Sequence, residues 1–227
     1  MTRVVLSLGG SVLVPGENDA GYISDLAELL AQLRKRCRLF VVPGGGKIAR
    51  YYIEIGRELG MPESRLDELG IVATRMNAKL LCAALKGLSN SIPPETIEVA
   101  ASLEKQHEIV VMGGTAPGWT TDYVAASLAE LVRADKLVNA TSVDGVYTAD
   151  PMKDKKAKLL KRLTYHELMR ISKGEHSKAG PNEIFDPAAT RLIADAKIPL
   201  RVVNGRNLKA LRDSIEGKPF RGTCVED

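Results

Sequence analysis

The sequence contains few aromatic residues, few cysteines and no long hydrophobic segment. Aromatic side chains make up 4% of its 227 residues although 44% are hydrophobic, so the core must be aliphatic, as is typical of helices packed on a parallel sheet. Cys37, Cys82 and Cys224 lie far apart, which argues against a disulfide framework and a structural zinc site. No apolar run approaches membrane-spanning length, and the N-terminal residues lack signal-peptide features. We therefore expect a cytoplasmic protein.

The sequence also lacks a strong net charge. Its 32 basic and 28 acidic residues give a net charge of +4, which is too small to indicate a nucleic-acid-binding protein but suits an anionic small-molecule substrate. The most basic segment, residues 150–162, has no aromatic side chains that could stack on bases. A solvated loop is the favoured interpretation of this segment, and a loop close to bound phosphate is the alternative.

Short aliphatic runs alternate with segments of helical periodicity along the chain. We predict strands at 3–8, 38–42, 97–100, 108–112, 137–141 and 200–203. We predict helices at about 24–36, 47–59, 64–88, 121–132, 187–197 and 207–215. Because strands separated by helices require crossover connections, the pattern predicts an α/β fold with a mostly parallel sheet that is covered on both faces.

Three of the predicted strands are followed by clusters of glycine. The clusters are Gly9-Gly10, Gly44–Gly46 and Gly113-Gly114. The carboxyl ends of parallel strands meet at one edge of the sheet, where ligands bind, and glycine lets backbone N–H groups approach an anion closely. One glycine turn is weak support for a site, because tight turns need glycine anyway. Three turns at one edge predict a site for several phosphates.

The common nucleotide-binding motifs do not account for these glycines. Gly46-Lys47 resembles the end of a P-loop, but Val41 and Ile48 occupy positions where that motif needs Gly and Ser or Thr. A dinucleotide fingerprint, protein-kinase signatures and a GxSxG elbow are also absent. The three histidines lack the spacing of metal ligands. A phosphate-binding enzyme with this sequence must use another architecture.

Four motifs resemble the amino acid kinase family, and within it the archaeal UMP-kinase subgroup. They are LGGSVLVP (8–15), GGGKIAR (44–50), GGTAPGWTTD (113–122) and TSVDGVYTADP (141–151), with KAG (178–180) and FDPAA (185–189) as weaker matches. The resemblance implies a single domain over residues 1–227, a three-layer αβα sandwich with a central sheet of about eight strands. It implies transfer of the ATP γ-phosphate to UMP in pyrimidine nucleotide biosynthesis, with the acceptor site mainly in the N-terminal half and the ATP site mainly in the C-terminal half.

The resemblance also implies roles for individual residues. The ATP-binding residues would be Gly9, Gly10, Gly46, Arg50, Thr141, Tyr147 and Asp150. The UMP-binding residues would be Gly45, Asp67, Thr115, Ala116, Pro117, Gly118, Trp119, Thr120 and Thr121. Without the resemblance, Asp67 would be interpreted as a surface acid, Tyr147 as a packing residue, and Thr121 or Asp122 as a helix cap.

One departure from the family pattern concerns a catalytic charge. Most amino acid kinases carry a lysine two residues before the first glycine pair, and Ser7 occupies that position here, as is typical of the archaeal subgroup. Arg50 is the leading catalytic candidate, and Lys47 and Lys178 are candidates to supply the missing charge. No carboxylate cluster marks a metal site, so Mg²⁺ is expected to bind through the ATP phosphates and water.

Several alternatives remain open from the sequence. The chain could phosphorylate another small acceptor, as an isopentenyl phosphate, carbamate or amino acid kinase, although an isopentenyl phosphate kinase is expected to carry histidine where Lys47 stands. It could also bind nucleotides for storage or regulation without turnover, or bind nucleic acid through residues 153–162. Family analogy implies a homo-oligomer, a hexamer, with no nucleic-acid or membrane partner.

Overall fold

The computed structural model describes residues 1–172 and 186–227. The strands are β1 (Thr2–Leu8), β2 (Cys37–Pro43), β3 (Ile109–Val111), β4 (Lys136–Thr141), β5 (Arg162–Leu163), β6 (Leu200–Asn204) and β7 (Gly222–Val225). The helices are α1 (Gly10–Leu13), α2 (Asp19–Leu33), α3 (Gly46–Glu58), α4 (Glu63–Ala84), α5 (Ile97–Leu103), α6 (Thr121–Leu131), α7 (Tyr165–Ser172), α8 (Pro187–Asp195) and α9 (Leu208–Glu216).

The strands form one sheet in the order β3-β2-β1-β4-β6-β7-β5. Every neighbouring pair is parallel except β6 with β7. The predicted α/β fold with a mostly parallel sheet is therefore confirmed, with seven strands in the described residues where about eight were expected. Because β1, β2 and β4 are adjacent and parallel, the chain leaves all three at the same edge of the sheet.

Both faces of the sheet are covered by helices, as the predicted three-layer arrangement requires. Along β1, Val4 and Leu6 pack into the core beneath α2, α4 and α9, whereas Val5 packs into the core beneath α5, α6 and α8. This alternation follows from the two-residue period of a strand. None of the helices formed by the described residues combines the length and apolar composition that a bilayer-spanning segment requires.

The predicted strand at 97–100 is wrong, because these residues begin helix α5. Thr96 caps the helix by accepting a hydrogen bond of 3.3 Å from the Val99 N–H. Ile97, Ala100 and Ala101 then face the core at helical spacing, while Val99 is exposed. The cap and this spacing outweigh the strand preference of isoleucine and valine.

Candidate active site

Two of the three glycine clusters interlock at the carboxyl edge of the sheet. The Gly44 N–H donates to the Leu8 carbonyl at 2.8 Å, which brings the turn after β2 against the turn after β1. A Cβ added to Gly10 would lie 2.2 Å from the Gly46 nitrogen, and Gly46 itself has a φ of +64°. Side chains at these positions would separate the two turns. The backbone can therefore come this close only because both turns are made of glycine.

A polar cleft of about 340 Å³ opens above the two turns. Its lining includes seven residues predicted to bind nucleotides: Gly9, Gly10, Gly45, Gly46, Arg50, Thr121 and Thr141. Helices α1 and α3 both begin at this cleft, so their N-terminal amides favour negative charge in it. The structure thus brings together backbone donors suited to phosphate groups.

Arg50 carries the one positive charge among the described residues that line this cleft. It lies in the first turns of α3, directly after the glycine turn, and one of its Nη atoms donates to the Ser11 hydroxyl at 2.9 Å. Arg50 is exposed, so the guanidinium can exchange this contact for phosphate oxygens. A guanidinium can hold two such oxygens at once.

The floor of the cleft contains a partly buried carboxyl group. Asp122 accepts a hydrogen bond of 2.8 Å from the Ser7 hydroxyl, and both residues line the cleft together with Asn139. Burial raises the pKa of Asp122 to about 6; the Ser7 hydrogen bond partly offsets this, and the nearby Asp186 charge adds to it. The serine that replaces the expected first-strand lysine therefore faces an acid.

Helix α4 holds the glycine turns in place from one side. Asn77 donates from Nδ2 to the Gly44 carbonyl at 2.7 Å. One turn earlier, the Thr74 hydroxyl accepts a hydrogen bond of 2.7 Å from the Gly114 N–H. The third glycine cluster, which does not line the cleft, is thus fixed to the same helix as the second.

The segment after Gly114 forms a wall beside the cleft and is anchored at several points. Arg75 donates to the Gly114 carbonyl at 3.1 Å. Asp67 of α4 accepts a hydrogen bond of 2.7 Å from the Gly118 N–H. Trp119 packs edge-on against Tyr123, with ring centroids 5.1 Å apart. The buried Thr115 hydroxyl has no hydrogen-bond partner among the described residues.

The segment after β4 carries the residues predicted to bind the donor nucleoside. The Asp144 carboxylate accepts hydrogen bonds from Tyr147 at 3.4 Å and from Arg221 at 2.6 Å. Thr223 of β7 accepts from the Val146 N–H at 2.9 Å and donates to the Leu160 carbonyl at 2.6 Å. These contacts fix the turn at Asp144 to the sheet.

Known proteins that are similar to this chain identify its family. The model of the amino acid kinase family matches residues 2–204. The chain belongs to the amino acid kinase family. It is 46% identical over 224 residues to a uridylate kinase of Thermoplasma volcanium, covering 99% of this chain and 97% of that protein. It is also 46% identical over 226 residues to a uridylate kinase of Methanocaldococcus jannaschii, covering 99% of both chains.

Solved structures in the amino acid kinase family are similar over the same length. The uridylate kinase of Archaeoglobus fulgidus has a TM-score of 0.88 at 40% identity, and the match covers 99% of this chain and 100% of that one. The UMP kinase of Bacillus anthracis has a TM-score of 0.81 at 25% identity, covering 100% and 96% of the two chains. The predicted family membership and fold are therefore confirmed.

The remaining predicted residues of this amino acid kinase fold lie outside the cleft lining or outside the described chain, including the acceptor residues between Thr115 and Thr120. Lys47 is exposed, does not line the cleft and donates from Nζ to the Pro15 carbonyl at 2.7 Å. Asp150 accepts a hydrogen bond of 2.9 Å from the Met152 N–H within its own turn. Lys178 falls outside the described residues.

Asn77, Thr74 and the Ser7–Asp122 pair contact the glycine turns or line the cleft but were not predicted from the sequence. An isolated Asn or Thr in a helix carries no motif, and its contact with a glycine turn appears only in three dimensions. A signal was available for Asp122, which directly follows the paired threonines of the third motif. Among residues 1–172 and 186–227, no three His, Cys, Asp or Glu side chains are grouped so that they could hold a metal ion.

Proposed function

We propose that this chain is a UMP kinase, which transfers the γ-phosphate of ATP to UMP and gives UDP and ADP in pyrimidine nucleotide biosynthesis. The observation that carries the proposal is the interlocked pair of glycine turns at one sheet edge, in a chain whose full-length relatives are uridylate kinases. Two anionic nucleotides placed end to end need donors on both sides of the transferred phosphoryl group. The two turns supply such donors.

The reaction asks for positioning and charge stabilisation more than for covalent chemistry by the protein. In our proposal, the amides of Gly9, Gly10 and Gly46 hold ATP phosphates, while Gly45 holds the UMP phosphate. Arg50 lies beside both turns and would bind the oxygens of the transferred group. The substrate is ATP with Mg²⁺ on its phosphates and water, since carboxylate ligands are sparse at the cleft.

The nucleosides would extend from the cleft in opposite directions. Asp67 would accept hydrogen bonds from the UMP ribose, exchanging its present contact with the Gly118 N–H. The segment from Thr115 through Ala116, Pro117, Gly118, Trp119 and Thr120 to Thr121 would enclose the uracil and its phosphate. Thr141, Tyr147 and Asp150 would hold the adenosine of ATP.

Lys47 and Lys178 stay in the proposal as additional catalytic candidates. Lys47 would have to leave the Pro15 carbonyl to reach a phosphate. The free-energy cost of that exchange is small, because the Lys47 side chain is long and exposed and a surface contact of this kind contributes little to stability. We also propose one domain over residues 1–227, with the acceptor site mainly in its N-terminal half, and a cytoplasmic location in keeping with three free cysteines.

Self-association is supported by an apolar surface on α3 and α4. Helix α3 buries only Ala49 and Gly56 within this chain. At least a third of the side chain is exposed at each of Tyr51, Tyr52, Ile55, Leu59, Val72, Met76 and Leu80. A patch of this kind is typical of an interface, and we propose that it pairs two copies within a hexamer.

Wild-type protein should then sediment as a hexamer and Ile55→Glu as smaller species, while Val99→Glu on α5 should leave the mass unchanged. A monomeric wild type would contradict this.

The proposed activity is tested by measuring ADP release with ATP and each of a panel of acceptors. The panel is UMP, CMP, AMP, GMP, isopentenyl phosphate, carbamate and free amino acids. We expect the highest kcat/KM with UMP. Preference for one of the last three acceptors would favour another amino acid kinase activity. An absence of ATP consumption with every acceptor would favour a storage or regulatory role.

A further inference from the structure

The N-termini of α6 and α8 meet at the end of the segment that follows Gly114, and they share a hydrogen bond. Thr120 caps α6 by accepting a hydrogen bond of 3.1 Å from the Tyr123 N–H. Asp186 caps α8 by accepting a hydrogen bond of 2.8 Å from the Ala189 N–H. The Thr120 hydroxyl also donates to the second carboxylate oxygen of Asp186. Asp186 belongs to the FDPAA segment, to which the proposed reaction assigns no role.

These contacts leave the Thr120 hydroxyl with one kind of hydrogen-bonding capacity. A hydroxyl group has one hydrogen to donate and two lone pairs. The hydrogen is given to Asp186 and one lone pair receives the Tyr123 N–H. Toward a ligand, Thr120 can therefore act only as an acceptor. Thr121 differs, since its hydroxyl has no hydrogen-bond partner among the described residues and can turn to donate.

Uracil and cytosine differ in the group that such an acceptor would meet. N3 of uracil carries a hydrogen and donates, whereas N3 of cytosine carries a lone pair and accepts; the neighbouring exocyclic group changes from carbonyl to amino in the same way. An acceptor fixed opposite N3 therefore pairs with uracil and repels cytosine. A freely rotating hydroxyl could satisfy either base.

We propose that Asp186 is a positioning residue for pyrimidine selectivity, which excludes CMP by holding the Thr120 hydroxyl as an acceptor toward N3 of the base. The inference rests on the proposed UMP kinase function and adds a residue to it. Thr120 is exposed and directly precedes Thr121, which lines the phosphate cleft. A base next to a phosphate held there lies within reach of Thr120.

The variant Asp186→Asn reverses the proposed effect while preserving the helix cap. Asparagine caps helices as well as aspartate does, so its Oδ1 can still receive the Ala189 N–H. Its Nδ2 then faces Thr120 and donates to it, which frees the Thr120 hydrogen for a ligand. We expect the ratio of kcat/KM for UMP to that for CMP to fall about 10- to 100-fold, the size of one mismatched hydrogen bond.

Two further variants separate this role from a structural one. Asp195→Asn makes the same change on the exposed surface of α8, where Asp195 pairs with Arg191, and should leave the ratio unchanged. Thr120→Val removes the acceptor, so adding Asp186→Asn to it should change the ratio no further.

The outcomes distinguish the inference from the function on which it rests. A wild-type enzyme that does not prefer UMP over CMP overturns both. A wild type that prefers UMP, with a ratio unchanged in Asp186→Asn, overturns the role of Asp186 and leaves the UMP kinase proposal standing. A ratio that falls in Asp186→Asn but falls equally again when this change is added to Thr120→Val also overturns the role, because Asp186 would then act without Thr120.

Discussion

The Asp122 carboxyl and the Ser7 hydroxyl form a hydrogen bond of 2.8 Å at the floor of the polar cleft. Burial raises the pKa of Asp122 to about 6, whereas an unfolded chain gives aspartate a pKa of about 3.9. Between these two values the folded state binds more protons than the unfolded state. The contribution of Asp122 to the free energy of unfolding therefore falls as pH rises through this window, and the loss is complete above the folded pKa.

Asp122→Asn should remove this pH-dependent loss. We expect the variant to be more stable than the wild type at neutral pH by ~1–3 kcal/mol, less any favourable interaction of the carboxylate with the N-terminus of α6. Urea denaturation at several pH values between 4 and 8 measures the difference. The difference should shrink toward the acid end, and Asp195→Asn should show no such trend. A difference that is constant across pH would contradict the prediction.

Arg50→Ala should reduce catalysis with little effect on folding. Arg50 is the cation that lines the cleft, and a charge-assisted contact with phosphate contributes about 1.5–3 kcal/mol. We expect kcat/KM to fall by about two orders of magnitude. Arg57 lies on the same helix and pairs with Glu63 at 3.6 Å on the surface, so Arg57→Ala is the matched control. Equal kinetics for the two variants would remove Arg50 from the site.

Gly10→Ala should separate the two interlocked turns. The added Cβ would lie 2.2 Å from the Gly46 nitrogen and 2.5 Å from the Gly44 oxygen, and neither backbone atom can rotate away. The two turns would have to move apart, and a misplacement of about 1 Å at reacting groups costs about 100-fold in rate. Steady-state kinetics with UMP and ATP measure the loss.

Gly70→Ala is the matched control for that change. Its added Cβ would meet only the Ile53 Cδ1 atom at 3.4 Å, an ordinary contact, within helix α4. Because alanine is a better helix residue than glycine by ~0.5–1 kcal/mol, this variant should be active and slightly more stable. Wild-type kinetics in Gly10→Ala would show that the turns need not touch.

The parts of the structure that follow a repeated pattern were predictable from the sequence. Alternating strands and helices predicted the mostly parallel sheet, and the glycine clusters predicted that the turns after β1 and β2 lie together at one edge of it. The two-residue strand β5 and the antiparallel strand β7 are too short to carry a period. At 97–100, the residue types favour a strand although the spacing of the apolar residues is helical.

The supports of the site could not be predicted from the sequence, because each is a single side chain that acts across the fold. Asn77 lies 33 residues from Gly44, to which it donates, and Thr223 lies 77 residues from Val146. Neither residue differs locally from any other polar residue in a helix or strand. The sequence therefore indicates which loops are candidates to bind phosphate, whereas the structure is needed to find what holds those loops.

Asn77→Leu tests whether α4 holds the second glycine turn. Asn77 is buried, with 1% of its surface exposed, and leucine fills a similar volume without a donor. The Gly44 carbonyl then loses its 2.7 Å partner, which should lower the free energy of unfolding by ~1–3 kcal/mol. Asn77 also donates to the carbonyl of Gly45 at 3.4 Å. Because Gly45 is proposed to bind the UMP phosphate and the neighbouring Gly46 the ATP phosphates, the KM for UMP should rise more than the KM for ATP. Lys79→Leu on the exposed side of α4 should change neither KM. An Asn77→Leu enzyme with both KM values raised equally would contradict this prediction, because Asn77 would then support Gly45 and Gly46 alike.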